Sequence, residues 1–236
     1  MVGRVVRMRQ GARMSFHEEL DAAETSLMAE GSVVKHQLAR IIRALVERDV
    51  DEAERVIKDD DQVDDLYLAT ENRVINLLAL QAPVASDLRL VSMIMHSNIH
   101  IERMGDLCVN IAKFVQARHP YPSDSPMVER LTDMGGRAAE MLDLAMSALA
   151  QRSAELAESL LEKDAALNRL NRGMLGDLKT YAGDEESFEW AVNLVLTARY
   201  LERFGDHCVD FAEQIAFLVT GVFREFRDAS HPEGAP

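Results

Sequence analysis

Two short stretches of the sequence place oxygen-bearing side chains one helical turn apart, three times in succession. The set has six members: Glu102, Asp106 and Asn110 in the first stretch, then Glu202, Asp206 and Asp210 in the second. On a helix, residues four apart share one face, where like charges repel by a few tenths of a kcal/mol. Hard cations bind through such oxygen donors. The spacing therefore indicates metal ligands, and a solvated acidic face is the alternative.

The two stretches belong to an internal repeat with an offset of 100 residues. Residues 101–109 read IERMGDLCV and residues 201–209 read LERFGDHCV, with six of nine positions identical. Each copy places a glycine, Gly105 or Gly205, beside its aspartate. A glycine within a helix costs about 1 kcal/mol relative to alanine. We therefore expect the missing side chain to let another helix or a ligand approach.

A second group of acids lies on the preceding helix, which we expect to run antiparallel beside the first stretch. Asp60 and Asp64 are one turn apart there, and a weaker echo later in the chain supplies Asp164 and Asn168. These four side chains are predicted to complete a metal shell from a neighbouring helix. An exposed acidic face is again the alternative.

The composition predicts helices almost throughout. The 236 residues include only 12 glycines, 6 prolines and 6% aromatic residues, and Ala, Leu, Glu, Arg and Met are abundant, which favours helix over strand. Apolar spacings of three, four and seven predict six helices. These span about 16–48, 51–81, 86–118, 127–150, 153–182 and 184–219. The predicted helix caps are Asp49 or Asp51, Ser86 or a neighbour, and Asp184, and Pro83 is predicted to end the second helix.

A proline-rich segment, 119–126, divides the six helices into two sets of three. We predict an all-α fold of two tandem three-helix bundles related by the internal repeat, over 14–118 and 127–220. Residues 1–13 are predicted to be a flexible basic arm, with a weak contact to anionic lipid as an alternative role. Residues 221–236 are predicted to be a C-terminal tail.

The cysteines and histidines near the repeat are interpreted as structural. Cys108 and Cys208 fall on apolar stripes and are expected to be buried and unreactive. His96, His100 and His207 project away from the acidic face, so we interpret them as partly buried boundary residues and not as ligands.

Several classes of protein are disfavoured. The formal net charge of −14 argues against a nucleic-acid partner. The sequence has no apolar run of membrane-spanning length and no signal peptide, which favours a cytoplasmic location. It contains no nucleophile elbow, phosphate loop or zinc-protease motif, and Glu-x-x-His, the mark of di-iron bundles, does not occur. We therefore expect that the protein is not an enzyme.

The repeat resembles the motifs of the PhoU family, bacterial regulators of phosphate signalling. The resemblance spans roughly residues 14–220 and is carried by ALQAPVASDLR at 79–89, ERMGDLCVNIAK at 102–113 and RYLERFGDHCVD at 199–210. The segment FHEEL at 16–20 is similar to the start of the family. The resemblance implies a pair of three-helix bundles, in agreement with the pattern of helices.

The resemblance also implies metal sites, because the E-x-x-x-D motifs of the family hold iron or other divalent ions in clusters. Carried over, the ligands are Glu102, Asp106, Glu202 and Asp206, with Asn110 and Asp210 on the next turn, while Asp60, Asp64, Asp164 and Asn168 match less tightly. The expected ions are divalent or trivalent, iron or zinc in mononuclear or multinuclear form, with magnesium or manganese as alternatives. Asn168 stands in place of an acid, so the two halves can differ in metal content.

The role implied by the resemblance is negative regulation of phosphate uptake and of the phosphate-starvation response. The expected partners are the phosphate ABC transporter and a sensor histidine kinase at the inner face of the membrane. We also expect a homodimer, since exposed faces of helical bundles often pair. Two alternatives stay open: a metal-storage or oxidase bundle, and a metal-free helical scaffold.

Overall fold

The computed structural model describes residues 2–117 and 125–226, with side chains from residue 16 onward. The first half contains α1 (Val2–Glu47), α2 (Val50–Asp59), α3 (Asp61–Gln81) and α4 (Ala85–Gln116). The second half contains α5 (Pro126–Gln151), α6 (Ala154–Glu158), α7 (Leu160–Leu178), a 3-10 turn (Lys179–Tyr181) and α8 (Glu185–Thr220). Single residues separate α2 from α3 and α6 from α7, so each of these pairs takes the place of one of the three helices predicted for its half. The all-α prediction is confirmed for the described residues, which contain no strand.

Side-chain caps fix several of the helix starts. The Glu52 N–H donates to Asp49 Oδ1 at 2.8 Å, and the Ser187 N–H donates to Asp184 Oδ2 at 2.9 Å, as predicted. The cap predicted at Ser86 is wrong, because α4 begins after Val84 with no side-chain cap and Ser86 lies inside the helix. The helix before Pro83 ends at Gln81, as expected because proline cannot continue a helix.

Three predicted helices have different boundaries, because the first starts earlier and the second and the fifth are each interrupted by one residue. The first helix begins at Val2, earlier than the predicted start near residue 16, so the described backbone of residues 2–13 belongs to α1. Residues 2–13 contain no proline to end a helix. The second helix is interrupted at Asp60, whose carbonyl accepts the N–H groups of Val63 at 2.8 Å and Asp64 at 3.1 Å.

The predicted linker and tail lie largely outside the described residues. Of the segment 119–126, the structure describes Ser125 and Pro126, and the Ser125 hydroxyl caps α5 by accepting the Met127 N–H at 3.2 Å. Of the tail, residues 221–226 are described. The Phe226 N–H donates to Glu213 Oε1 at 2.6 Å, so this part of the tail folds back along α8.

The core lies around α4 and α8, which pack against each other at the centre of the molecule. In the first half α4 also contacts α1, α2 and α3, and in the second half α8 contacts α5, α6 and α7, while α1 meets α5. The predicted apolar stripes are confirmed, since every member is at most 5% exposed. They comprise Ile101, Met104, Cys108, Ile111 and Val115 on α4, and Leu201, Phe204, Cys208, Phe211 and Ile215 on α8. Among the described helices, none is both long enough and apolar enough to cross a lipid bilayer.

Candidate functional site

In the first half, the predicted acidic residues of α4 face the Asp60–Asp64 turn at the start of α3. Burial is the main reason that the pKa of Glu102 is raised, and Asp106 adds to the shift, as do Asp64 and Asp60 to a smaller extent. Arg103 opposes it by pairing with Glu102 at 3.5 Å and with Asp106 at 3.0 Å. The structure thus brings together the four carboxylates predicted in this half.

Gly105 provides the close approach that its position predicted. A Cβ atom added there would lie 3.3 Å from Asp60 Oδ1 and 3.3 Å from Val63 Cγ1. The same Asp60 oxygen accepts a hydrogen bond from Gln37 Nε2 at 3.2 Å, which ties α1 to the site. Burial raises the pKa of Asp60, and the neighbouring Asp64 and Asp106 carboxylates act in the same direction.

A carboxylate that the sequence reasoning missed, Glu30 of α1, lies beside this group. Glu30 is fully buried, and neither of its carboxylate oxygens has a hydrogen-bond partner among the described residues. Burial raises the pKa of Glu30 to about 9, and the charge of Glu102 adds to the shift. A buried carboxyl group without a hydrogen-bond partner is costly in its ionised form unless a cation pairs with it, and otherwise keeps its proton.

The second half repeats the arrangement with fewer oxygen donors. Burial raises the pKa of Glu202 to about 7, and Asp206 and Asp164 add to this, while Arg199, in contact with the same carboxylate, opposes it. Asp164 is buried, and its Oδ2 accepts from Asn168 Nδ2 at 2.8 Å. Of the four positions that correspond to the carboxylates of the first half, three therefore carry a carboxylate, and the fourth is Asn168.

In the second half, methionines occupy the positions that correspond to polar residues of α1 in the first half. A Cβ atom added to Gly205 would meet Leu167 Cδ2 at 2.6 Å and Met141 Cε at 3.4 Å, as that of Gly105 meets Val63 and Gln37. Met141 is thus the counterpart of Gln37, and at the same offset Met134 is the counterpart of Glu30; both methionines are fully buried. The halves therefore differ in ligand content, and the first is richer in oxygen donors.

The third rung of each predicted ladder does not join these groups. Eight residues beyond Glu202, the helix has rotated by about 80°, so Asp210 faces α4 and not α7. Asp210 Oδ2 lies 3.4 Å from His100 Nδ1 and 3.5 Å from His207 Nδ1. Asn110 has the same rotation on α4 and is half-buried. The prediction that Asp210 extends the Glu202–Asp206 row is therefore wrong.

The histidine and cysteine interpretations are confirmed in part. Cys108 and Cys208 are fully buried, and burial raises the pKa of both thiols. The side chains of His100 and His207 are 24% and 19% exposed, as expected for boundary residues, whereas His96 is exposed. The expectation that none could be a ligand is not supported, because His100 and His207 converge with Asp210.

The site can do two things chemically. Glu30, Asp60, Asp64, Glu102 and Asp106 form a group of carboxyl side chains whose donors are all oxygen, the type that hard cations bind, but no three of them bring ligand atoms within 4.8 Å of one another. The histidine-containing group is, among the described residues, the one set of three His, Cys, Asp or Glu ligand atoms within 4.8 Å of one another. Arg103 pairs with Glu102 and Asp106, so it already supplies part of the positive charge that a cation would bring to the acidic group of the first half.

Comparison with known proteins places this geometry in a family. The model of the PhoU domain matches residues 27–115 and 131–215, once in each half. A phosphate-specific transport system accessory protein PhoU homolog from Pseudomonas aeruginosa is 32% identical over 209 residues, which are 88% of this chain and 86% of the relative. PhoU homolog 2 of Mycobacterium tuberculosis is 32% identical over 215 residues, covering 89% of this chain and 99% of the relative.

Solved structures agree with the sequence comparison. The crystal structure of PhoU from Pseudomonas aeruginosa matches with a TM-score of 0.80 at 30% identity and covers 88% of this chain and 100% of that chain. The phosphate transport system regulatory protein PhoU from Streptococcus pneumoniae matches with a TM-score of 0.81 at 30% identity, covering 89% of this chain and 99% of its own. With a domain match in each half and the same fold throughout, the chain belongs to the PhoU family.

Proposed function

We propose that this protein is a negative regulator of phosphate uptake and of the phosphate-starvation two-component response. It acts as an adaptor on the phosphate ABC transporter and on the sensor histidine kinase, in the cytoplasm and peripherally at the inner face of the membrane. The observation that carries the proposal is the family match in both halves, together with relatives named as accessory proteins of a phosphate-specific transport system.

The regulatory role is tested in the source bacterium. Deleting the gene should raise expression from a phosphate-starvation promoter in phosphate-replete medium, and the wild-type gene should restore repression. Phosphate uptake measured with labelled phosphate should rise in the same deletion strain. If both readouts are unchanged by the deletion in replete medium, the regulatory proposal is wrong.

Partner binding is tested separately by crosslinking in phosphate-replete cells followed by mass spectrometry. We expect the ATP-binding subunit of the transporter and the kinase among the crosslinked proteins, because both have cytoplasmic parts that an adaptor can reach. Recovery of neither protein, with the regulator itself efficiently crosslinked, would contradict the adaptor role. Light scattering of the purified protein tests the expected homodimer.

We further propose that a metal ion organises the acidic pocket of the first half. Glu102 and Asp106 on α4, Asp60 and Asp64 at the start of α3, and Glu30 on α1 would hold it. A bound cation supplies the positive charge that the clustered carboxylates lack. It would keep Glu30 and Glu102 ionised despite burial, because metal ligands must be deprotonated, and it would join three helices at one point.

Metal content tests this site assignment. Replacing Glu102, Asp106, Glu202 and Asp206 by alanine should abolish the bound iron, manganese or magnesium, and reduce the bound zinc, measured by elemental analysis. The matched control replaces four exposed glutamates, Glu18, Glu54, Glu129 and Glu158, and should keep full metal content. Full metal content in the first variant would contradict the assignment.

The metal-free scaffold is a second candidate favoured by one observation. Arg103 and Arg199 already pair with Glu102 and Glu202, so the carboxylates have cationic partners within the protein. In that case, a chelator would leave the melting temperature unchanged, whereas metal removal should lower it if the pocket is filled. No feature of the described residues favours the metal-storage or oxidase alternative, in which ferrous iron would drive oxygen consumption.

A further inference from the structure

The contact between α4 and α8 carries a cluster of ligand atoms that the proposed function does not use. His100 extends from α4, and His207 and Asp210, one turn apart, extend from α8. His100 Nδ1 lies 3.2 Å from His207 Nδ1, and Asp210 Oδ2 lies 3.4 Å from the first nitrogen and 3.5 Å from the second. The three atoms thus form a nearly equilateral triangle across the junction of the two halves.

This triangle has the dimensions of one face of a tetrahedral metal site. Zinc binds imidazole nitrogen at about 2.0–2.1 Å and carboxylate oxygen at about 2.0–2.2 Å, so neighbouring ligand atoms in a tetrahedron are about 3.3–3.5 Å apart. Two imidazoles and one carboxylate are also a ligand set typical of zinc. The side chain of Asp210 is 45% exposed, which leaves the fourth position open to water.

A metal site here requires both imidazoles to be neutral, with the proton of each ring on Nε2. Two Nδ1 atoms 3.2 Å apart can share only one proton between them, so at least one presents a lone pair when both rings are neutral. Neutral imidazole is the metal-binding form.

The neighbouring thiol does not take part. Cys208 follows His207 in sequence, but its side chain is fully buried on the core side and its Sγ lies 3.6 Å from Met104 Sδ. The site therefore offers nitrogen and oxygen donors, which favours zinc over softer ions such as copper(I).

The cluster is not a product of the internal repeat. At the repeat offset, the counterparts of His100, His207 and Asp210 are Tyr200, Leu107 and Asn110. The symmetry-related position on the other side of the α4–α8 contact thus has neither imidazole nor carboxylate. One such site per chain is expected, separate from the two E-x-x-x-D groups.

We propose that His100, His207 and Asp210 form a mononuclear zinc site that clamps α4 of the first half to α8 of the second. The site goes beyond the proposed function and does not depend on it. A bound ion would stabilise the packing of the two halves against each other, since it binds the folded arrangement and not the separated helices.

The test uses the full-length protein without a polyhistidine tag, stripped of metal and then titrated with Co²⁺ as a spectroscopic substitute for Zn²⁺. A tetrahedral cobalt site with two nitrogen ligands gives intense visible absorption, whereas six-coordinate oxygen sites give weak bands. We expect one equivalent of the intense species, displaced by zinc. Absence of this spectrum in the wild-type protein would overturn the proposal, with no variant needed.

Variants then locate the ligands. His100→Gln and His207→Gln should each remove the intense cobalt spectrum and weaken zinc binding at this site at least tenfold. His96→Gln, an exposed histidine one turn earlier on α4, is the matched control and should bind as the wild type does. An unchanged cobalt spectrum in His100→Gln and His207→Gln would assign the absorption to other residues and contradict the proposed site.

Discussion

The buried carboxyl group of Glu30 should make the stability of the metal-free protein depend on pH. Its pKa rises from the ordinary 4.5 to about 9 in the folded protein. Between these two values the folded state keeps a proton that the unfolded state releases, so the free energy of unfolding falls as pH rises through this window. One such group contributes up to about 1.4 kcal/mol per pH unit.

Glu30→Gln isolates this effect, because glutamine keeps the shape of the side chain and does not titrate. In the presence of a chelator, we expect the wild type to be less stable at pH 8 than at pH 6 and the variant to lose most of that difference, as measured by urea unfolding followed by circular dichroism. Glu18→Gln, exposed on the same helix, is the control. Equal pH dependence in the wild type and Glu30→Gln would show that the carboxyl is ionised in the fold.

Single residues also differ in whether their place in a site could be predicted from the sequence. Glu30 is three residues after Leu27 and four before Val34, so it occupies an apolar position of α1, and an acid at such a position is a readable signal. The meeting of His100 with Asp210 has no comparable signal, since it depends on where α4 crosses α8. Neither the spacing within one helix nor the repeat offset contains that crossing.

At the scale of the helices, substitutions at two glycines distinguish the effect of intrinsic helix preference from the effect of packing on stability. Gly136 on α5 has open space around the position of a Cβ atom, whereas a Cβ at Gly205 on α8 would lie 2.6 Å from Leu167 Cδ2. Gly136→Ala should stabilise the protein by about 1 kcal/mol, because alanine favours the helix. Gly205→Ala should destabilise it by about 1 kcal/mol or more, because Leu167 is buried and must move.

Thermal or urea unfolding at one pH measures the stability of each alanine variant relative to the wild type. Both substitutions gain the same helix preference, so the difference between them reports the close packing of α7 on α8. If Gly205→Ala were as stable as Gly136→Ala, the glycine would not be needed for helix contact. Its place beside the acidic row would then require another explanation, such as access for a ligand.

The helices themselves were the most predictable part of the molecule, because their signals are local. Apolar spacing predicted the stripes of α4 and α8 position by position, and Asp49 and Asp184 cap the helices that they were expected to cap. The break at Asp60 was not predicted, because aspartate is accepted both before the first residue of a helix and within its first turn, so its presence does not indicate a boundary. The break depends on how α2 and α3 each pack against α4.

At the scale of the whole molecule, the repeat has produced two halves of the same shape but unequal chemistry. The first half places Glu30 and Gln37 in the pocket where the second places Met134 and Met141, and Asp64 of the first corresponds to Asn168 of the second. The apolar stripes of α4 and α8 are buried at corresponding positions in both halves, whereas the residues between the helices differ.

This asymmetry predicts that the first half holds the larger share of metal. Glu102→Ala with Asp106→Ala should remove more ion, per chain, than Glu202→Ala with Asp206→Ala, because hard cations bind more tightly where more carboxylates converge. Elemental analysis after gel filtration of each double variant, with circular dichroism to confirm folding, measures the two shares. Asn168→Asp should raise the metal content of the second half, since it restores the missing carboxylate. Equal losses in the two double variants, with no gain in Asn168→Asp, would show that the metal content is set by the E-x-x-x-D pairs alone and that the α1 and α3 side chains do not contribute.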